Sequence, residues 1–261
     1  MKGLKSSVFM LMCLAFIGIL APEISPHKPY KQVLPLSYEA PCLTSPMGRD
    51  ELGRDILSRV IYGIRTSLAI GVIVVAISIM IGVPVGCISG YAGGITDVII
   101  SRFIDILMAF PGLLLSIAIA GVMGPSTVNI IIALTAVGWV GYARYSRAMV
   151  MSIKHGDYIL ASKALAKDGI SIFLSDILPN IIEPLIVEAS FGIAVVIISE
   201  ASLSFLGLSS PSTPSLGKML YEAISVIMVS PWMAIFPGIT LTVIVVLFND
   251  IGDKLRAIYE R

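Results

Sequence analysis

The sequence has few charged residues and few of the side chains that build metal sites. Only 13% of its 261 residues are charged, and the formal net charge at pH 7 is +1. No basic cluster of Lys and Arg forms along the chain, which argues against a nucleic-acid partner. Cys13, Cys42 and Cys87 are scattered without a C-x-x-C pair. We therefore expect neither a zinc site nor a disulfide framework.

A set of converging catalytic residues is also missing. The two histidines, His27 and His155, lie in different predicted loops. A Gly-Lys pair occurs at Gly217 and Lys218, but the flanking glycine and hydroxyl residue of a phosphate-binding loop are absent. We expect no catalytic residue, no bound cofactor and no metal in this chain, and hence no enzyme activity of its own.

Apolar residues dominate instead. They make up 56% of the chain, and the mean hydropathy is +0.94, more than a soluble domain of this size can keep from water. The bilayer is therefore the expected solvent, and the fold class is predicted to be all-α, a polytopic membrane protein with about six membrane helices. The predicted helices cover residues 8–24, 66–89, 103–122, 128–145, 181–199 and 232–248.

Flanking charges predict the orientation. Lys2 and Lys5 favour a cytoplasmic N-terminus, and six crossings return the C-terminus to the cytoplasm. The loop at residues 146–180 then faces the cytoplasm, and the loop at 200–231 faces the exterior. Residues 1–24 are interpreted as a retained membrane anchor rather than a cleaved signal peptide, because residues 21–23, Ala-Pro-Glu, make a poor cleavage site.

Residues 25–65 are predicted to be external. Their first part is rich in proline and favours an extended linker. Residues 47–68 are amphipathic, with an apolar residue every four positions and charged pairs on the other face. The apolar positions are Leu52, Ile56, Val60 and Ile64, and the pairs are Asp50 with Arg54 and Asp55 with Arg59. This pattern predicts a helix on the outer membrane surface, or equally a charged extension of the second membrane helix. Residues 66–261 form the expected core domain.

Two further patterns lie within the predicted membrane helices. Gly82, Gly86, Gly90 and Gly94 recur at steps of four, so another helix backbone can approach closely, either from this chain or from a partner chain. Acids near the membrane are functional candidates because an ionisable group in hydrocarbon is costly. These are Asp105, Glu183, Glu188, Glu200 and Asp250. Their positions near predicted helix ends favour an interfacial structural role over a proton or ion relay, and Asp105 is placed to pair with Arg102.

Three segments carry a family resemblance. Residues 47–59, M-G-R-D-E-L-G-R-D-I-L-S-R, resemble the G-T-D-x-x-G-R-D-x-x-S-R signature of peptide and nickel permeases in binding-protein-dependent ABC importers, with Arg49 in place of Thr. Residues 157–166, D-Y-I-L-A-S-K-A-L-A, running on to 177–180, resemble the cytoplasmic E-A-A loop of that superfamily. Residues 200–208 and 214–220 resemble the external loop of the same subfamily. The three motifs follow one another in the expected order.

The cytoplasmic motif departs from its pattern at three positions. Leu160 replaces its Glu, Ser162 its second Ala, and Ala166 its Gly. Asp157 keeps an acid one turn earlier and is a preferred N-cap residue. These changes put the strength of the ATPase contact in question, but not the identity of the loop.

The resemblance implies a type I ABC importer permease fold in the cell inner membrane. This chain would form half of a translocation pathway for peptides or for free or chelated nickel. Its implied partners are a second homologous permease, two ATPase subunits that bind ATP and Mg, and an extracytoplasmic substrate-binding protein. The implied ATPase-coupling residues are Asp157, Tyr158, Ala161, Ser162, Ala164, Leu165, Ala166 and Gly169, and the external motif residues are Gly48, Asp50, Gly53, Arg54, Asp55 and Arg59.

One alternative belongs to a different functional class. A standalone secondary transporter would use Asp105 or Glu188 as its intramembrane carboxylate. An internal inverted repeat, which such transporters often carry, is not detectable in the sequence. The residues that line the pathway cannot be separated from packing residues by pattern.

Overall fold

A computed structural model describes residues 2–154, 156, 159, 162, 165 and 167–259. Within them, eight helices have eight residues or more. These are α1 (Lys2–Ile19), α2 (Ile56–Ala92), α3 (Gly94–Met108), α4 (Gly112–Met123), α5 (Thr127–Ile153), α6 (Leu178–Phe205), α7 (Leu216–Ala223) and α8 (Trp232–Tyr259). Shorter turns of helix lie at Ala21–Ile24, Leu34–Leu36, Gly169–Ile172, Phe173–Ile177 and Ile224–Val226.

The predicted all-α membrane architecture is confirmed. Four stretches are long and apolar enough to cross a bilayer: Ile56–Ala92, Thr127–Ile153, Phe173–Phe205 and Trp232–Tyr259. The pair α3 and α4 makes a fifth span if it is counted as one. The first predicted helix is present as α1, whose apolar stretch Leu4–Ile19 is shorter than the other spans.

The third predicted span is not a continuous helix. Helix α3 ends at Met108, α4 begins at Gly112, and the two axes are bent by 79°. Pro111 lies in the break, lacks a backbone N–H, and disfavours the helical conformation at Phe110. Hydropathy alone predicts a single span over residues 103–122 because the apolar run continues through the bend.

The surface helix predicted for residues 47–68 is wrong. Helix α2 starts at Ile56, after the N-cap residue Asp55, and continues without a break to Ala92. Ile56, Val60 and Ile64 are at most 4% exposed and pack with residues of α6, α7 and α8. The apolar stripe therefore faces protein, and the charged extension of the second membrane helix is the arrangement found. Spacing by four cannot distinguish a protein partner from a lipid one.

The glycine stripe on α2 packs against α5 of the same chain. A Cβ built on Gly86 would lie 2.0 Å from the carbonyl oxygen of Ala143, and one on Gly82 would lie 2.3 Å from that of Trp139. The two backbones are thus in direct contact, as small residues at a membrane helix interface allow. Gly94 has nothing within 4 Å and is the first residue of α3, so it takes no part in this contact.

The connection between α5 and α6 contains a buried apolar cluster. Ile159, Ile172 and Ile177 are at most 1% exposed and pack with residues of α2 and α5. A π-helical turn, Phe173–Ile177, leads directly into α6. This part of the loop is therefore packed onto the membrane helices that it joins.

Candidate functional site

The residues of the external motif form a compact turn before α2. Both Leu52 and Arg54 donate their backbone N–H groups to Oδ1 of Asp50 at 2.9 Å. Its Oδ2 accepts a hydrogen bond of 2.6 Å from Nε of Arg54 and another from the guanidinium of Arg59. Asp50 is 1% exposed, so its charge is compensated by these donors rather than by water.

Helix α7 supplies the second carboxylate of this site. Glu222 lies 2.8 Å from the Arg59 guanidinium and 3.2 Å from that of Arg54. We name Asp50, Arg54, Arg59 and Glu222 the external ion cluster. It contains two positive and two negative charges, and it ties the turn before α2 to the loop between α6 and α8.

One of the two predicted charge pairs is confirmed. Asp50 and Arg54 are paired, although they lie in a turn rather than in a helix. The predicted pairing of Asp55 with Arg59 is wrong. Asp55 instead caps α2, because its Oδ2 accepts hydrogen bonds from the backbone N–H of Ser58 at 2.8 Å and from the Ser58 hydroxyl at 2.6 Å.

Both glycines of the external motif have backbone conformations that other residues rarely adopt. The φ angles are +76° at Gly48 and +68° at Gly53. A Cβ on Gly53 would lie 2.0 Å from the carbonyl oxygen of Val33, and one on Gly48 would lie 2.8 Å from the ring of Trp232. Glycine is therefore required by both conformation and space.

Arg49, the departure from the motif, is accommodated within the same turn. Its Nε donates to Glu39 at 2.9 Å, and its guanidinium also donates to the carbonyl oxygen of Gly53 at 3.0 Å. Its carbonyl oxygen accepts a hydrogen bond of 3.3 Å from the Trp232 indole. The side chain thereby joins the linker to the motif turn.

Glu200 lies beneath the external loop and is only 1% exposed. Its carboxylate accepts hydrogen bonds from the hydroxyls of Ser67 at 3.0 Å, Ser204 at 2.7 Å and Ser215 at 2.8 Å. These hydrogen bonds agree with the structural role predicted for this acid, although its side chain is buried in protein. Glu200 joins α2, α6 and the residue that precedes α7.

The polar run at residues 209–215 is exposed only in its middle. Ser209, Pro214 and Ser215 are buried, whereas Pro211 and Ser212 are exposed. Burial of Ser215 costs little because its hydroxyl donates a hydrogen bond to Glu200.

Lys218 is the basic residue on the outer surface of α7. Partial burial lowers the pKa of its ammonium group, against the raising effect of Glu222. The amine donates to the carbonyl oxygen of Pro211 at 2.7 Å, across the turn that precedes α7.

The other membrane acids have separate environments. Glu183 is exposed, and Glu188 lines a cavity of about 410 Å³ with Tyr145 and Arg256. Asp250 accepts a hydrogen bond from Lys254 at 2.5 Å. The expected pairing of Asp105 with Arg102 is wrong, since no charged group of opposite sign lies within 4.0 Å of Asp105 among the described residues.

Most of the predicted ATPase-coupling residues lie outside the described residues. These are Asp157, Tyr158, Ala161, Ala164 and Ala166. Of the remaining three, Ser162 is 8% exposed, whereas Leu165 is 77% exposed. Gly169, expected to end the coupling helix, is the first residue of the short helix Gly169–Ile172.

Glu222 is the functional residue that sequence reasoning misses. It follows the quoted external-loop motif by two positions, and nothing in its local spacing points to Arg54 or Arg59. Within the part of the chain that the structure describes, no group of three His, Cys, Asp or Glu side chains is placed to hold a metal ion.

Comparison with known families decides the identity of this arrangement. Residues 82–261 match the family described as the binding-protein-dependent transport system inner membrane component. The chain belongs to this family. The matched region starts within α2, so the external motif lies upstream of it.

Relatives with full-length similarity are permease proteins. The dipeptide transport system permease protein DppC of Haemophilus influenzae is 39% identical over 98% of this chain and 89% of its own length. The di/tripeptide permease DppC of Pseudomonas aeruginosa is 35% identical over 98% of this chain and 86% of its own. The glutathione permease GsiD of Pectobacterium atrosepticum is 39% identical over 84% and 73%.

A solved structure shows the same fold. A chain of the MetNI methionine ABC transporter, in an inward-facing conformation, superposes with a TM-score of 0.65 at 20% identity. The superposition covers 77% of this chain and 97% of that chain. This chain is thus a multi-pass inner-membrane transport component. It has an importer permease fold and is not an enzyme. Its family works with a substrate-binding protein and an ATPase.

Proposed function

We propose that this chain is one of two permease subunits of an ATP-driven importer of short peptides. The observation that carries the proposal is the similarity to a dipeptide permease over 98% of the chain. The relatives whose names give a cargo transport dipeptides, tripeptides or glutathione, which favours peptides over nickel. Family membership also speaks against a standalone secondary transporter.

A second homologous permease completes the pathway, because one chain of this size supplies half of its wall. Two ATPase subunits bind ATP and Mg on the cytoplasmic side. Their closure rocks the permease pair between inward-open and outward-open states, and ATP shifts this equilibrium because it favours one state over the other.

The ATPase contact is made by residues 157–169. Ile159 is fully buried against the membrane helices, whereas Leu165 is 77% exposed. A loop that is anchored on one side and presents an apolar side chain on the other is suited to docking in a groove of a separate subunit. This arrangement supports the coupling role implied by the E-A-A resemblance.

The external ion cluster and helix α7 face the substrate-binding protein. In this orientation both chain termini are cytoplasmic. Lys218 lies one helical turn before Glu222 on α7, so its partly exposed ammonium group is positioned by the ion cluster that Glu222 joins.

The cargo is tested by reconstituting the full complex in proteoliposomes. We expect binding protein loaded with a dipeptide to raise ATP turnover and to deliver labelled dipeptide to the lumen. Nickel-loaded binding protein should raise neither quantity. Stimulation by nickel alone would overturn the assignment to peptides.

Leu165→Arg tests the coupling loop in the same preparation. An arginine in the docking groove should abolish the stimulation of ATP hydrolysis by loaded binding protein, and the double change Ala161→Arg with Ala164→Arg should do the same. Leu43→Arg is the matched control, because Leu43 is fully exposed in the external linker. Unchanged stimulation in both loop variants would refute the docking assignment.

A further inference from the structure

A cavity of about 490 Å³ lies between α3 and α5, next to the bend before α4. One wall is formed by Ser101, Asp105 and Met108, which share a face of α3. The other wall is formed by Arg144 and Arg147 of α5. The volume falls in the range of sites that bind small ligands.

One of the two arginines is fully paired. Arg147 donates to both carboxylate oxygens of Asp97, at 2.5 Å from Nε and 2.7 Å from its terminal nitrogen. Asp97 also accepts a hydrogen bond of 2.5 Å from Ser89. This bidentate pair joins the start of α3 to α5 and fixes the cavity wall.

The two remaining charged side chains of the cavity, Asp105 and Arg144, form no ion pair among the described residues. Among the described residues, neither Asp105 nor Arg144 lies within 4.0 Å of an opposite charge, including each other. Arg144 makes a contact of 3.6 Å with the sulfur of Met108. Both side chains are exposed toward the cavity. The cavity therefore presents the positive charge of Arg144 and the negative charge of Asp105, which interacts with Arg147 without forming an ion pair.

These charges lie at the ends of the predicted spans 103–122 and 128–145. Asp105 is eleven residues from the start of α3, and Arg144 is nine residues from the end of α5, so each lies about 15 Å along its helix from that helix end. An unpaired charge next to hydrocarbon is costly unless it faces a water-filled cavity or a polar ligand. The cavity is accordingly a polar recess among the membrane helices.

We propose that this cavity receives the two termini of a short zwitterionic peptide during translocation. The peptide ammonium group binds Asp105, and its terminal carboxylate binds the Arg144 guanidinium, which suits a carboxylate in a bidentate geometry. The termini of a dipeptide are at most about 7 Å apart, so one small molecule carries both of the charges that these two side chains complement. A metal cation alone would leave Arg144 unpaired. The inference rests on the proposed peptide import and names the contact that this permease makes with its cargo.

Transport by the reconstituted importer tests the proposal. Asp105→Asn and Arg144→Gln each remove one charge, and we expect each to lower dipeptide import per ATP hydrolysed by about tenfold or more, as the loss of a charge-assisted hydrogen bond predicts. Arg102→Gln is the control, since Arg102 is exposed on α3 but does not line the cavity, and it should import within about twofold of wild type.

The outcomes separate the two proposals. Wild-type complex that imports no peptide would overturn the proposed function and this inference with it. Wild-type import together with full import by both charge-removal variants would overturn the inference alone.

Cysteine protection provides a second readout that needs no transport. In a background with Cys13, Cys42 and Cys87 changed to Ser, Ser101→Cys and Met108→Cys should react with a water-soluble thiol reagent, because both residues line the cavity and both binding charges are kept. A free dipeptide should slow both reactions, whereas the same dipeptide with acetylated and amidated termini should not. Equal protection by the blocked peptide, or no protection by either, would refute recognition of the termini.

Discussion

The carboxylate of Glu222 lies 2.8 Å from the guanidinium of Arg59, so an acid of the external helix α7 forms an ion pair with the first turn of α2. Both side chains are largely shielded from solvent, at 12% and 3% exposure. The contact links the external surface directly to the longest helix of the chain. A movement of α2 therefore shifts the surface that α7 presents outside the membrane.

Asp50→Asn should destabilise the protein strongly. The substitution removes the negative charge that compensates two buried arginines, and breaking a buried ion pair costs about 3–5 kcal/mol. Unfolding of the purified chain in detergent measures the effect. Glu51→Gln is the matched control, because Glu51 is adjacent and makes no ion pair in the described structure, and it should change stability by less than about 0.5 kcal/mol. Equal stability of the two variants would contradict the assigned role of the cluster.

Gly53→Ala should cost more stability than Gly207→Ala. Both positions have positive φ angles, +68° and +80°, so each alanine adds roughly 1–2 kcal/mol of backbone strain. At Gly53 the added Cβ would also meet the carbonyl oxygen of Val33 at 2.0 Å, whereas nothing lies within 4 Å at Gly207. Comparison of the two melting temperatures isolates the contribution of this close contact. Equal losses would show that the linker is free to move away.

The contacts within the external motif are only partly readable from the sequence. The spacing of Asp50 and Arg54 predicts their pairing correctly, but for a helix that is not there. Local spacing cannot reveal Glu222, because its approach to Arg59 depends on how α7 packs against α2. The spacing of Ile56, Val60 and Ile64 likewise predicts correctly that they share one apolar face. It does not predict what that face packs against, because this depends on tertiary packing.

The arrangement of the membrane helices is likewise only partly predictable from the sequence. Hydropathy identifies the spans because hydrocarbon requires long apolar helices, but it does not register the bend at Pro111, where backbone hydrogen bonding is interrupted without a loss of apolar character. The steps of four from Gly82 predict close packing. The glycine spacing does not identify the neighbouring helix, which the structure shows to be α5.

Glu200→Ala should loosen the external loop. The hydroxyls of Ser67, Ser204 and Ser215 would lose their common acceptor, and each buried polar group without a partner costs about 1–3 kcal/mol. We expect lower thermal stability and faster proteolysis at residues 206–215. Glu200→Gln keeps an acceptor oxygen and should lie between wild type and Glu200→Ala.

Glu183→Ala is the control for Glu200→Ala, because Glu183 belongs to the same helix but is exposed. It should leave both the melting temperature and the proteolysis rate unchanged. If Glu200→Ala behaved like this control, the three hydrogen bonds would not contribute to the stability of the external loop.

Native cysteines report the sidedness of the chain. Cys42 lies in the external linker, and a hydrogen bond with the Thr44 hydroxyl, 3.1 Å away, lowers the pKa of its thiol. More thiolate is thus present at neutral pH, and a membrane-impermeant maleimide added from outside should label Cys42 in intact cells. Cys87 is buried and should remain unlabelled. Labelling of Cys42 only after the membrane is permeabilised would reverse the proposed orientation.

The direct contact between the α2 and α5 backbones has a mechanical consequence. With 37 residues, α2 is about 55 Å long, and the fit of Gly82 and Gly86 over α5 carbonyl groups prevents the two helices from sliding past each other. Near the inner end of α2, Lys154 donates to the carbonyl oxygen of Gly90 at 2.8 Å. The outer end of α2 carries Arg59. Pro84 of α2 lies within this contact and removes one backbone hydrogen bond, but the backbones pack closely on both sides of it. A tilt of α5 beside the cytoplasmic loop is therefore passed on to α2 rather than lost by sliding between the two helices.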